Sequence, residues 1–174
     1  VHRIDKDTTG SVIICKNDNA HQKIAEQLKE HSINRVYNAI CYGIIKEDEG
    51  TVESLIGRSP TDRKKMAVVK SGGKEAVTHF RVLKRFEADN MTYIECKLET
   101  GRTHQIRVHM NHIGHPIIND SLYNKAKFKV KTTEQVLQAY KLQFATLYND
   151  DIIKLEIEPD EDIKKVLKFL RSNK

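Results

Sequence analysis

The order of strand-like and helix-like runs along this chain predicts an α+β fold: a mixed, largely antiparallel sheet with flanking helices. Most strand-like runs follow one another across short turns, and strands adjacent in sequence pair antiparallel. The apolar period shifts from two to 3.6 in three places, which supplies helices to cover the sheet. The 174 residues hold no repeats, low-complexity segments or linkers, so one domain with a sizeable core is expected.

The elements follow in order. Thr8-Thr9-Gly10 has turn chemistry and precedes an apolar run, Ser11-Val12-Ile13-Ile14-Cys15, read as the first strand. Asn19 to about His31 is an amphipathic helix with Ala20, Ile24, Ala25 and Leu28 on one face, and Lys23, Glu26, Gln27 and Glu30 toward water. Asn34 breaks into a strand over Arg35–Tyr42, with Gly43 near its end. Further strands are predicted at 51–56, 66–69, 76–86 and 91–98. In the last of these Ile94, Cys96 and Leu98 alternate with Tyr93, Glu95 and Lys97. Ser71-Gly72-Gly73 and Asp89-Asn90 are turns.

Thr103–Ile113 is predicted as a helix with Thr103 as N-cap and Ile106, Met110 and Ile113 inward. Residues 114–120, with Pro116, form a loop, and 137–147 and 151–157 are two more strands. Pro159-Asp160 opens a terminal helix with Ile163, Val166, Leu167 and Leu170 at core spacing.

Composition narrows the function. A net charge of +6 suits a polyanionic partner. Cys15, Cys41 and Cys96 have no metal-like spacing, and Cys15 and Cys96 lie in apolar runs, so buried free thiols in a reducing compartment are expected. No apolar stretch approaches the roughly 20 residues that span a bilayer, no secretory signal is visible, and a cytoplasmic protein is expected.

Three stretches carry the chemistry. Val1-His2-Arg3-Ile4-Asp5-Lys6-Asp7-Thr8-Thr9-Gly10 sets the Asp5 carboxylate among cations that favour its ionised form. Arg35-Val36-Tyr37-Asn38-Ala39 puts an aromatic ring on a strand, and Thr100-Gly101-Arg102-Thr103-His104-Gln105-Ile106-Arg107 leads into a helix. In that order they resemble three motifs of the RluA-type RNA pseudouridine synthases. The first resembles His-Arg-Leu-Asp-x-x-Thr-Ser-Gly, with Ile4 for Leu and Thr9 for Ser. The second resembles a basic-x-Tyr-x-Ala strand, and the third matches Thr-Gly-Arg-x-His-Gln-Ile-Arg without departure. The resemblance runs from Val1 to about Asp150. It implies a pseudouridine synthase fold truncated at its N-terminus: a single catalytic domain over 1–174 that lacks the first part of the domain and any auxiliary RNA-binding domain.

It also implies a reaction. Uridine becomes pseudouridine when its N1–C1′ bond breaks and the base rejoins through C5, with no redox step and no group donor, so no cofactor is expected. Asp5 is the implied essential residue, acting by attack at C1′ or by removing the C2′ proton. Arg107 is implied as its bidentate partner. Tyr37 is implied as the aromatic that stacks on the target base and accepts the C5 proton. Tyr42 lies on the opposite face of that strand. Arg3 resembles the arginine that fills the gap left by a flipped nucleotide.

RNA contacts are expected from several further residues. Thr8 belongs to the first motif. Gly101, Arg102 and Thr103 offer N–H groups and charge to a phosphate, and His104 serves either the loop or the RNA. Arg58–Lys74 is a basic, turn-rich stretch containing Arg63, Lys64 and Lys65, read as a hairpin arm on the RNA backbone. Asn119 and Asn124 stand where the family often has Gly, and Gln138 where His is usual.

Two rivals come from other classes. One is a non-catalytic RNA-binding module of the same fold. The other is a metallohydrolase using His109, His112 and His115, disfavoured because Gly114-His115-Pro116 has left the helix and no carboxylate joins at ligand spacing. The partner is expected to be ribosomal or transfer RNA, with no membrane, no obligatory protein partner and a monomeric state.

Overall fold

A computed structural model describes residues 1–146, 149 and 151–173. Its core is one eight-stranded sheet with strand order β1-β7-β2-β6-β5-β3-β4, in which β8 also pairs with β7. In chain order the elements are β1 (Thr9–Gly10), α1 (Asp18–Lys29), β2 (Asn34–Tyr42), β3 (Glu49–Arg58), β4 (Met66–Val69), β5 (Lys74–Phe86), β6 (Met91–Leu98), α2 (Gln105–His112), β7 (Leu137–Ala145), β8 (Ile152–Glu156) and α3 (Glu161–Ser172). The expected α+β class is what the chain adopts, and β1–β7 is the parallel pairing in an otherwise antiparallel ladder.

The main correction falls on the first strand. Only Thr9 and Gly10 pair with β7, opposite Gln138 and Ala139. From Lys141 onward the same edge of β7 is occupied by β8, so Ser11–Cys15 finds no edge to join. Its last ladder contact is the Ser11 N–H to the Ala139 carbonyl at 2.9 Å. Ile13 and Cys15 instead pack with Ile24, Leu28, Ile33 and Leu142, while Val12 and Ile14 are exposed. Cys41 and Cys96 are the buried thiols, and Cys15 is half-buried. The predicted end of β7 at Leu147 lies outside the described residues.

Helix α1 starts one residue earlier than predicted, capped by Asn17, whose Oδ1 accepts the Ala20 N–H at 2.9 Å. Gln27 does not face water. Its amide donates to the Ala145 carbonyl at 3.0 Å and accepts the Ala145 N–H at 2.9 Å, satisfying both backbone groups at the end of β7.

The two sheet faces carry different helices. Helix α3, capped by Asp160 on Ile163 N–H at 2.8 Å, buries Ile163, Val166, Leu167 and Leu170 against Ile40, Phe86, Met91, Ile118 and Val136. Each such side chain is worth about 1.5–3 kcal/mol of burial. On the other face α2 packs Ile106 and Met110 against Tyr37, Ala39, Cys41, Ile94 and Cys96. Tyr37 and Tyr42 fall on opposite faces as expected, with Tyr42 beside the α3 cluster. Among the described residues no helix is long and apolar enough to cross a membrane.

Candidate active site

The site is assembled from segments far apart in sequence. Asp5 sits in a tight turn closed by the Thr8 N–H on the Asp5 carbonyl at 3.1 Å, with Asp7 in the left-handed region at φ 66°. Gln135, just before β7, fastens this turn. Its Nε2 donates to the Lys6 carbonyl at 3.0 Å and to Thr8 Oγ1 at 3.3 Å. Gly10 then runs against β7 so closely that a Cβ there would stand 2.2 Å from the Ala139 carbonyl oxygen, and its φ is +119°.

Asp5 opens onto a cleft of about 430 Å³, lined by His2, Arg3, Thr8, Arg35, Tyr37 and Arg102 among others. Its carboxylate is held from behind. Oδ1 accepts the His104 N–H at 3.4 Å, and Oδ2 lies 3.6 Å from Arg107 Nη1. Arg107, buried on α2, spends its bidentate fork elsewhere: Nε and Nη2 donate to Asp120 at 2.7 and 2.8 Å. The expected Asp5–Arg107 ion pair therefore exists, but it is the weaker arm of an Asp5–Arg107–Asp120 chain. Burial opposes the charge of Arg107, and the hydrogen bonds and charge of Asp120, with Asp5 behind, outweigh it and push the guanidinium pKa up. Asp120 also accepts the N–H groups of Leu122 and Tyr123 at 3.2 and 3.3 Å.

Tyr123 closes the back wall. The Arg107 guanidinium lies over its ring at 5.1 Å, and its hydroxyl meets His104 Nδ1 at 2.7 Å and accepts the Met66 N–H at 2.9 Å. His104 therefore serves the loop through its ring and Asp5 through its backbone. It also supplies the N-cap of α2 in the left-handed conformation, φ 57°. Thr103 is not the cap: the helix begins at Gln105, whose Oε1 accepts the Arg102 N–H at 2.9 Å.

Tyr37, on β2, is 6 % exposed and borders the same cleft. Burial, aided by the charge of Asp5, pushes its phenol up to about 12, so the hydroxyl stays protonated at neutral pH. Among the described residues that hydroxyl has no hydrogen-bond partner.

The structure thus brings together Arg3, Asp5, Thr8, Tyr37 and Arg102 as cleft lining, with His104 and Arg107 behind Asp5. Arg102 anchors its Nε on the Glu75 carbonyl at 2.7 Å. Arg63, Lys64 and Lys65 are not cleft walls. They sit in the loop joining β3 to β4, a hairpin whose base is tied to the site through Met66 N–H and Tyr123. His109, His112 and His115 do not converge. His109 is locked between Thr78 and Ser54 hydroxyls at 2.8 and 2.9 Å, His115 Nδ1 meets the Tyr42 carbonyl at 3.0 Å, and no metal-binding cluster exists among the described residues.

Sequence reading gave no role to Asp120, Tyr123, Gln135 or Arg35. Only Arg35 stood in a motif with a visible signal, as the basic residue two before Tyr37. Of the two positions where the family often has Gly, Asn119 is left-handed at φ 56°, where Gly or Asn is least strained, whereas Asn124 is not in the left-handed region. Gln138 is structural, donating to the Glu158 carbonyl at 3.0 Å and accepting the Asp160 N–H at 3.2 Å.

Comparison with known proteins points to one family. The family model described as RNA pseudouridylate synthase matches residues 1–112. An RNA pseudouridine synthase of Bacillus subtilis is 43% identical over 173 residues, covering 99% of this chain and 56% of the relative. The ribosomal large subunit pseudouridine synthase D of Neisseria meningitidis serogroup A is 42% identical over 181 residues, covering 98% and 48%. The solved human RNA pseudouridylate synthase domain containing 1 superposes with a TM-score of 0.78 at 25% identity, over 98% of this chain and 79% of that one. The chain spans about half the length of the curated relatives it matches.

Proposed function

The chain belongs to the RNA pseudouridylate synthases of the RluA type, and from that premise we propose that it isomerises uridine to pseudouridine in structured RNA. The observation that carries the reading is the Asp5 carboxylate, partly desolvated at the cleft rim and fixed by Arg107 and the His104 N–H, with the Tyr37 ring on the same cleft.

In this reading Asp5 acts at the ribose of a flipped uridine, by attack at C1′ or by proton removal from C2′. The Arg107–Asp120 pair keeps the Asp5 carboxylate oriented without neutralising it, because its bidentate contact goes to Asp120. Tyr37 offers a flat, apolar seat for the freed uracil, and stacking of this kind is worth about 1–3 kcal/mol per base. Its protonated hydroxyl keeps the seat neutral, so any role in C5 deprotonation requires another group to take its proton first. Arg3, exposed at the mouth, fills the gap in the RNA stack, while Arg102, Thr103, Thr8 and the arm residues Arg63, Lys64 and Lys65 contact the backbone. The relatives named for the large ribosomal subunit favour ribosomal over transfer RNA as substrate. The free thiols suit a reducing cytoplasm, and the cleft, walled by one chain, suits a monomer.

The test is tritium release from RNA carrying [5-³H]uridine, with ribosomal and transfer RNA assayed separately and Asp5→Asn as control. Release by the wild type alone supports the reading. Tight, salt-sensitive binding without release from either RNA would overturn it in favour of a binding module.

A further inference from the structure

Among the described residues, two buried donors on the cleft wall lack an acceptor. Arg35 is 7 % exposed and lines the cleft that holds Asp5. Its Nη2 donates to the Glu99 carbonyl at 2.8 Å, but its Nε is buried with no hydrogen bond. Among the described residues no carboxylate pairs with this guanidinium, whereas Arg107 has two. The second donor is His2. Its Nδ1 accepts the Ile13 N–H at 3.1 Å, so the neutral ring carries its proton on Nε2, and that Nε2–H is buried without a partner. Burial, then the charge of Arg35, lowers the His2 pKa to about 4, which keeps the ring neutral and places the two groups within electrostatic reach.

A folded chain rarely leaves buried donors unmet, and an unpaired buried guanidinium is costlier than a neutral one. The backbone makes room for it. A Cβ on Gly101 would stand 2.5 Å from Arg35 Nη1, and the conformation of Gly101 is not one that otherwise demands glycine. Both residues line the cleft, and an anion entering it would complete them. Arg35 and Tyr37 share a strand face two residues apart, roughly 6.6 Å along β2. A nucleotide whose base lies on Tyr37 brings its sugar–phosphate past Arg35.

We infer that Arg35 and His2 form a phosphate-binding pair on the cleft wall, which takes a phosphate of the nucleotide seated on Tyr37. The inference rests on the RNA reading above and adds to it a substrate contact at the reacting nucleotide. It differs from the surface arm in kind. A buried, prearranged guanidinium fixes the position of one phosphate, whereas exposed lysines only raise the local concentration of RNA.

The test is an NMR titration of the whole chain with uridine, uridine 3′-monophosphate and uridine 5′-monophosphate, with the His2 ring and the Arg35 Nε–H as reporters. The wild type should bind one monophosphate at least about tenfold tighter than uridine, the loss expected when a charge-assisted hydrogen bond is absent. R35Q should abolish that preference and H2F should weaken it. G101A keeps the charge but displaces the guanidinium, so it should also weaken the preference, and it decides the matter if R35Q fails to fold. Equal affinity for all three probes, or a preference that survives G101A and a folded R35Q, would overturn the inference. Tritium release by a chain without the preference would sink this inference alone. A preference without tritium release would sink the isomerase reading alone.

Discussion

Helices α2 and α3 lie on opposite faces of one sheet and are buried by different means. Helix α3 meets the sheet through Ile163, Val166, Leu167 and Leu170 and leaves its polar residues in water. Helix α2 is buried from Gln105 to Met110, so Gln105, Arg107 and His109 go into the interior with their side chains satisfied there. Gln105 alone reaches Thr100, the Arg102 N–H, the Val77 carbonyl and Thr78. Hydrocarbon burial is tolerant of exchange, whereas a polar network fails when one member is removed. Both faces therefore hold the fold together, and the α2 face also fixes geometry around Asp5.

The sharpest break in this contrast is Asp5→Asn, which keeps shape and removes the charge. It should lower isomerisation by more than about 10⁴-fold while leaving RNA affinity and melting temperature near wild type, measured by tritium release, filter binding and calorimetry. Asp120→Ala should strike both properties. It strands the buried Arg107 guanidinium, so urea unfolding should show a loss of about 3–5 kcal/mol, with activity falling at temperatures where the protein is still folded. Leu170→Ala should cost a comparable 2–5 kcal/mol from the cavity it leaves, yet spare kcat below the transition. If Leu170→Ala lowered kcat as much as Asp120→Ala, the division of labour between the faces would be wrong.

Acid should weaken the α2 face. His109 is fully buried, and burial lowers its pKa to about 4 from an ordinary 6.5. The unfolded chain therefore binds the proton more readily than the folded one. The stability due to neutral His109 is complete above pH 6.5 and drains away as pH falls toward 4, by on the order of 3 kcal/mol. Urea midpoints from pH 7 to 4 should show this loss, and His109→Gln should reduce it, leaving the part due to His2, which burial lowers to about 4 as well. The smallest effect belongs to the exposed arm. Replacing Arg63, Lys64 and Lys65 with Gln should reduce the salt slope of RNA binding by about 2 to 3 units without changing the melting temperature.

The same contrast explains what could be read in the sequence. Helix α3 was legible because its apolar stripe decides its orientation, and β6 because its alternation survives in the burial pattern. The Asp5, Tyr37 and Arg107 positions were legible because three motifs stand in order. The partner of Arg107 was not. Asp120 arrives by a loop with no periodicity, and its bidentate grip is a tertiary fact. Thr103 has the chemistry of an N-cap, yet the backbone turns through left-handed His104 to present its N–H to Asp5, displacing the start of the helix. Ser11–Cys15 has the composition of a strand, and failed to become one because β8 already holds the edge it would need.

The pairing of Thr9 with Gln138 and Gly10 with Ala139 has a temporal consequence. Asp5 emerges from the ribosome near the start of this stretch, but the strand and the glutamine that fasten its turn follow more than a hundred residues later. Closing so long a loop is entropically costly and slow compared with forming the β3–β4 and β5–β6 hairpins, whose contacts are nearer in sequence. A nascent chain that has exposed β6 already displays Tyr37 and Asp5 but has not yet shaped a cleft between them. The arrangement around Asp5 is thus completed only when β7 docks, late in the order of synthesis.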